Sequence, residues 1–304
     1  MTLGAVLIAG PTASGKSAVA LALAERMGGT IINADSMQVY RELRVLTARP
    51  SERDEARAPH RLYGCIGVAE RYSVGRYQDD VSRALVEIQM QGRTAIFVGG
   101  TGLYFDVLTQ GLSPIPPVPA EIRLKNRCRF EELGREAFFA ELVARDPKTA
   151  GVLNISDTQR VLRAADVLEA TGTPLSDWRA MSGKPLLAGV AIARFVIAPP
   201  REILFQRIER RFEAMLRDGA LDEASTLQGL DPLLPAAKAL GLRELWRHLA
   251  GGLSLKVATA EAQLATKRYG KRQMTWFRNR MADWKWLEEE QISNLVALLC
   301  HELS

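Results

Sequence analysis

A chain of 304 residues can bury one large core or two modest ones, and its 47% hydrophobic and 25% charged residues are those of an ordinary globular protein. No apolar run approaches the roughly 18 residues of a membrane span, and the first residues lack the basic stretch of a secretory signal, so a cytoplasmic protein with no membrane partner is expected. Cys65, Cys128 and Cys300 lie far apart beside only three histidines, which argues against a disulfide framework or a zinc site, while 40 Lys+Arg against 35 Asp+Glu leave a mild net charge of +5.

The first apolar run, LGAVLIA from Leu3, reads as a buried strand, and GPTASGKSA follows it at once. Gly10, four residues, then Gly15-Lys16-Ser17 is the spacing of a phosphate-binding P-loop. Glycines let the backbone curl until its N–H groups point into an anion-sized hollow at a helix start. Lys16 adds a point charge, and the Ser17 hydroxyl can ligate Mg²⁺. SAVALALAERMG then reads as a helix closed by glycine, and GTIINA as a second strand that runs into Asp35-Ser36-Met37-Gln38. A second helix, YQDDVSRALVEIQMQG, leads to a third strand, TAIFVGG, whose end carries Gly99-Gly100-Thr101-Gly102. The stiff linker SPIPPVPA opens a long insertion of helical patterns (EIRLKNRCRFEELG, REAFFAELVARDP and DTQRVLRAADVLEATG) before a fourth strand, VAIARFVIAP from Val190. Everything after that strand reads as helical.

Alternation of strand and helix predicts an α/β fold, a P-loop NTPase-like doubly wound parallel sheet with an inserted helical lobe and a helical C-terminal region. The core is expected over residues 1–112 and 188–304, and the lobe over 113–187. Ligands of such sheets collect beyond the carboxyl ends of the strands, so three polar loops should converge on one crevice.

Several side chains in those segments carry chemistry. Asp35 at a strand end serves equally as a partner of Mg²⁺, a general base or a helix cap. Gln38 can complete a capping box or read a hydrogen-bonding edge, and Thr101 can cap a helix or face the crevice. Arg207 and Arg211, spaced i,i+4 with Ile208 and Phe212 on the buried side, form either a surface ion-pair helix with Glu209 and Glu213 or a phosphate clamp. In the insertion, Gln159, Arg160 and Arg163 sit at helical offsets, while Val161 and Leu162 can enter the lobe's core. From Lys267 to Arg280 there are six basic residues and no acid, with Tyr269, Trp276 and Phe277 interleaved. Lys271 and Arg272 belong to this stripe, which has the footprint of a surface for a nucleic-acid backbone and stacked bases.

Together GPTASGKS, INADSMQVYREL, TARP, PHRL, VGGTGLYFDVLTQGL, QRVLRAADVLEATG and KRQMTWFR resemble the bacterial tRNA dimethylallyltransferase family, in consistent order from about Leu3 to Trp286. The resemblance implies transfer of a dimethylallyl group from dimethylallyl diphosphate to N6 of adenosine 37 in tRNAs that read codons beginning with U, with Mg²⁺ as cofactor and a monomeric enzyme. It makes Gly10, Pro11, Thr12, Ala13, Ser14, Gly15, Lys16 and Ser17 the diphosphate cradle, Ser17 the metal ligand, and Asp35 the base. Thr101 and Arg211 become catalytic residues. The anticodon stem-loop would be met by Asp35, Ser36, Met37, Gln38 and Thr101, and by Arg123, Gln159, Arg160, Val161, Leu162 and Arg163 in the lobe. The sequence departs from the family at Leu46 and Arg49, where Gly and Lys are usual, at Gly64 in place of Asp, and at Leu242 in place of Tyr. A P-loop small-molecule kinase using ATP, with Asp35 deprotonating a hydroxyl, is the alternative reading, and a non-catalytic RNA-binding protein a third.

Overall fold

The computed structural model describes residues 4–181, 183–288 and 291; Cys300 lies outside them. Ala5–Ala9 (β1) is an aliphatic run with every side chain buried, as a strand covered on both faces requires. Thr30–Asn33 (β2), His60–Arg61 (β3), Ala95–Gly99 (β4), Ile192–Ile197 (β5) and Lys285–Leu287 (β6) join it in one sheet of order β3-β2-β4-β1-β5-β6, every pairing parallel. Alternate residues face opposite layers. Leu7, Ile32 and Phe97 pack with Tyr77, Val81, Tyr104 and Phe105, whereas Val6, Ile8, Ile96 and Val98 pack with Val19 and Leu23. Full burial of such a side chain contributes about 1.5–3 kcal/mol, so a one-residue slip that exchanged the two faces would be strongly unfavourable.

The helices follow from equally local causes. Lys16–Met27 (α1) ends at Gly28, which takes a left-handed φ of 61°. Glu52–Arg57 (α2) starts at Ser51 with a reciprocal capping box to Asp54. In Val74–Met90 (α3), Ser73 caps the first turn and the buried residues Tyr77, Val81, Ala84 and Ile88 recur at helical spacing. Gly102–Thr109 (α4) buries Tyr104, Phe105 and Leu108 on the same side of the sheet.

Two strands escape the sequence reading. β3 is two polar residues long, and β6 is a three-residue edge strand, KWL, behind a long helix; neither length shows a periodicity. The C-terminal region is therefore not wholly helical. Before β6 it folds as Arg201–Arg217, Ala220–Thr226, Leu242–Leu249 and Leu255–Arg280, with a short helical turn at Ala236–Lys238. Phe212, Met215, Ala224, Leu245 and Ala262 from these helices close a core with Val39, Tyr40, Leu43 and Leu46.

Residues 110–185 form a compact unit separate from residues 1–109 and 186–304. Its helices are Ala120–Arg145 (α5), Pro147–Ala150 (α6), Thr158–Thr171 (α7) and Leu175–Ala180 (α8). Gly134 (φ 76°, ψ 173°) breaks α5 into two stretches, and Phe130 meets Phe138 edge to face across the kink. Val118, Phe138, Leu142, Val161, Ala164 and Leu175 fill the unit's own core, and buried Asn126 donates to Asp166 of α7 at 2.9 Å. The helices after α8, in the larger unit, are α9 (Arg201–Arg217), α10 (Ala220–Thr226), α11 (Leu242–Leu249) and α12 (Leu255–Arg280).

Candidate active site

Because β4 lies between β1 and β2, the loops that leave these three strands emerge side by side. The first is Gly10 to Ser17. Ala13 and Gly15 both take left-handed backbone, at φ 63° and 89°; glycine does so freely, while for alanine the conformation stores about 1–3 kcal/mol. These two reversals curl the chain into a hollow and start α1 at Lys16, with no side chain capping that helix. Its first N–H groups are thus left for an anion. Pro11 and Ser14 are buried, and the Ser14 hydroxyl has no partner. Lys16 Nζ donates to the Pro11 carbonyl at 3.2 Å. Burial brings the Lys16 pKa down to about 8 against the pull of Asp35, and the Arg211 charge adds to the lowering.

The second loop is held by a residue that the motif reading passed over. Asn33, fully buried at the end of β2, accepts from Asp35 N–H at 2.8 Å and donates to the carbonyls of Asp35 and Leu62 at 2.9 and 3.1 Å. Asp35 Oδ1 in turn accepts from Met37 N–H at 2.9 Å. The third loop supplies Thr101, whose hydroxyl accepts from Ser36 N–H at 2.9 Å and donates to Ser36 Oγ at 3.3 Å, while its own N–H donates to Ala34. Thr101 is therefore a strut between two loops rather than a side-chain helix cap. Gln38 is neither a capping-box partner nor free to read an edge with its amide N–H₂, which donates to the Thr47 and Ala48 carbonyls, both at 2.9 Å.

A cavity of about 300 Å³ opens between the first two of these loops and the C-terminal helices; Thr101, set behind Ser36, is not among its lining residues. Thr12, Ala13, Asp35, Ser36 and Met37 line one side, and Arg211, Lys238, Tyr269 and Arg272 the other, with Leu46, Ile208, Phe212, Met215 and Leu240 as an apolar patch. Arg211 is half-buried there rather than held in a surface ion pair; it donates to the Thr47 carbonyl at 3.4 Å, and burial lowers its pKa against the attraction of Asp35. Burial, reinforced by the Asp35 charge, raises the phenol pKa values of Tyr63, Tyr104 and Tyr269, so all three stay protonated. Among the described residues no group of three His, Cys, Asp or Glu is arranged to hold a metal ion. Ser17, exposed on the first turn of α1, offers one hard oxygen. So sparse a donor set fits Mg²⁺, which keeps several waters and takes remaining ligands from phosphate oxygens.

The basic residues divide into two groups. In the smaller unit Arg123, Gln159, Arg160 and Arg163 are exposed, Leu162 is half-buried, and Val161 is fully buried in the core. Arg160 pairs with Asp157 at 3.2 Å. Burial lowers the Arg163 pKa, Asp166 opposes this, and the charges of Arg123 and Arg179 add to it, so two further guanidinium groups lie near Arg163. Arg179 is a member that no motif announced. On α12 the basic stripe is partly spent on pairs with acids elsewhere in the chain, contrary to its acid-free sequence: Lys267 reaches Glu209 at 2.5 Å and Arg280 reaches Asp106 at 3.2 Å. Arg272 lies over the Tyr269 ring, 5.5 Å from its centroid. Among the described residues Arg268, Lys271 and Arg278 form no ion pair, and all three are exposed.

Comparison with known proteins places the whole chain in one family. Residues 38–280 match the family model described as IPP transferase, and residues 3–71 match that described as isopentenyl transferase. A tRNA dimethylallyltransferase from a Bradyrhizobium strain is 53% identical over 97% of each chain, and one from Rhodopseudomonas palustris is 51% identical over 94% of this chain and 90% of its own. Among solved structures, the tRNA isopentenylpyrophosphate transferase of Bacillus halodurans superposes with a TM-score of 0.68 at 29% identity, covering 98% of this chain and 96% of that one. A eukaryotic dimethylallyltransferase solved acting on tRNA gives 0.80 at 25% identity, over 93% and 73%. The loop after β1, the acidic loop after β2 and the GGTGLY loop after β4 therefore stand in a prenyltransferase, and the chain belongs to the tRNA dimethylallyltransferase family.

Proposed function

We propose that this protein transfers a dimethylallyl group from dimethylallyl diphosphate to N6 of adenosine 37 in tRNAs that read codons beginning with U, releasing diphosphate. The observation that carries the proposal is a cavity with an apolar wall lined by one carboxylate, Asp35, and by half-buried Arg211, with the half-buried Lys16 ammonium near enough to feel the charge of both. Breaking the allylic C–O bond leaves charge on the diphosphate and a carbocation-like five-carbon fragment. The N–H groups at the start of α1, Lys16 and Arg211 meet that growing charge, and one preorganised donor of this kind is worth about 3–4 kcal/mol. Mg²⁺ held by Ser17 and the diphosphate oxygens would supply further charge neutralisation. The attacking nitrogen is a poor nucleophile until its proton departs. Asp35, fixed through Asn33 and Met37, accepts that proton as the N–C bond forms. Leu46, Ile208, Phe212 and Met215 would shelter the allylic fragment from water.

An adenine inside a loop reaches such a cavity only when turned out, for a few kcal/mol. Asp35 to Gln38, Thr101, Lys271 and Arg272 are proposed to meet RNA on the larger unit, and Arg123 with residues 159–163 on the smaller one. For Val161, buried as it is, that role can only be to place its neighbours. A kinase would share the P-loop, but family membership does not favour it. Incubation with dimethylallyl diphosphate, Mg²⁺ and unmodified tRNA, followed by mass analysis of the nucleosides, should reveal adenosine heavier by one isopentenyl unit. Unchanged nucleosides, with phosphoryl transfer from ATP to a small alcohol instead, would refute the proposal.

A further inference from the structure

One residue of the KRQMTWFR segment touches the phosphate-binding loop directly. Gln273, on α12, is only 5% exposed. Its side-chain oxygen accepts from Thr12 N–H at 3.0 Å, and its side-chain nitrogen donates to the Gly100 carbonyl at 2.9 Å. A single amide thus spans the loop after β1 and the loop after β4, using its acceptor on one and its donor on the other. The fit leaves no slack, since a Cβ on Gly100 would collide with Gln273 Nε2. Thr12 also immediately precedes Ala13, the residue held in left-handed backbone. Exposed Lys271 and cavity-lining Arg272 come just before Gln273 on the same helix.

We propose that Gln273 is a positioning residue for the diphosphate cradle, anchoring the P-loop and the Thr101 loop to the helix that carries the basic stripe. This rests on the reading of the cavity as a diphosphate site. The Thr12 N–H points to Gln273 and not into the hollow. Holding it there fixes the strained turn at Ala13 and with it the direction of the N–H groups that follow. Gly100 is held by the same amide, and Thr101 next to it braces Ser36. Loss of the clamp therefore loosens the anion-binding loop and the Asp35 loop together, while the exposed cations of α12 remain in place.

Titration with pyrophosphate in the presence of Mg²⁺, beside titration with an anticodon stem-loop RNA, tests the assignment. Gln273→Met keeps the volume and removes both hydrogen bonds; Gln273→Glu keeps an acceptor for Thr12 N–H and sets a carboxylate against the Gly100 carbonyl. Gly100→Ala attacks the same contact from the other side. Each folded variant should bind pyrophosphate at least tenfold more weakly, and should lose much less affinity for the stem-loop, about threefold, because the exposed cations of both units still hold it while only the loosened loop contacts are weakened. If all act through one clamp, Gly100→Ala combined with Gln273→Met should weaken pyrophosphate binding no more than either change alone. Parent-like pyrophosphate affinity in Gln273→Met and Gly100→Ala would overturn the assignment alone. A parent that fails to bind pyrophosphate would overturn the diphosphate reading, and the assignment with it. A fully additive double variant would also overturn it, because independent losses reflect general destabilisation.

Discussion

Asp35 and Lys16 play opposite electrostatic parts within one site, and each makes a measurable prediction. Asp35→Asn keeps the size of the side chain and an oxygen for Met37 N–H, so donor and RNA affinity should stay within a few fold. Turnover should fall by about 10²–10⁴, the range for loss of a positioned base, as single-turnover rates would show. Parent-like turnover would assign proton removal to another group. Lys16 has a pKa of about 8 in the free protein because burial disfavours its charge. A bound diphosphate favours that charge and raises the pKa, so binding near pH 9 should take up close to one proton. Affinity should then decline as pH rises above about 8, by up to tenfold per unit. Calorimetry in buffers of different ionisation heat would reveal the uptake, and Lys16→Arg, whose charge does not titrate, should abolish it. The same shift acts on folding with the opposite slope: the unfolded chain binds more protons above pH 8, so the stability lost by burying the ammonium returns as pH rises through that region.

Secondary-structure elements place these residues through contacts that sequence motifs disclose unevenly. The P-loop, the acidic loop and the GGTGLY loop were legible because their residue types are tied to what they do: glycine where φ is positive, at Gly15, or where a neighbour approaches too closely for a side chain, at Gly99, Gly100 and Gly102, and an acid where a strand ends. Asn33, Glu223 and Gln273 were not legible, because each works through backbone groups distant in sequence. Glu223 on α10 is the clearest case. Its carboxylate accepts from the N–H groups of Arg44, Val45 and Leu46 at 2.8, 2.7 and 2.9 Å, and so shapes the segment that carries Leu46 to the cavity. Glu223→Ala strands those N–H groups and should destabilise the fold by about 1.5–3 kcal/mol in denaturant titration, while raising the KM for the prenyl donor more than it lowers kcat. An unchanged KM would make Glu223 a fold residue alone. Two residues that the sequence reading did not expect also explain one another. Arg49 donates to the Tyr40 and Arg41 carbonyls at 3.2 and 2.9 Å, and its guanidinium occupies the space where any side chain on residue 64 would begin. Gly64 is thus the partner that Arg49 requires, a correspondence invisible to a reading that weighs positions singly.

At the scale of the whole molecule, a net charge of +5 says little about RNA, because many basic residues are already neutralised by neighbours. Arg57 pairs with Glu25, Arg129 with Glu141, and Arg145 and Lys125 with Glu169, and exposed pairs of this kind contribute at most about 1 kcal/mol to stability. What matters for a polyanion is the cations left over, among them Arg268, Lys271 and Arg278 on α12 of the larger unit and the group of Arg123, Arg163 and Arg179 on the smaller. In that group Asp166 attracts Arg163 and Arg123, while Arg123 and Arg179 both repel Arg163, so the group keeps an excess of positive charge. Each contact with an RNA phosphate releases condensed counterions. Lys271→Ala and Arg163→Ala should therefore each lower the slope of log affinity against log salt by about 0.7–0.9. The two changes lie in units with separate cores and share no partner, so their effects should add. Lys267→Ala is the internal control. Its ammonium is engaged by Glu209 and the Phe205 ring, so its loss should leave the slope nearly unchanged. Equal slopes for all three variants and the parent would remove both surfaces from the RNA-binding face, whereas a large change for Lys267→Ala alone would mean that RNA opens the pair with Glu209 and uses this lysine instead.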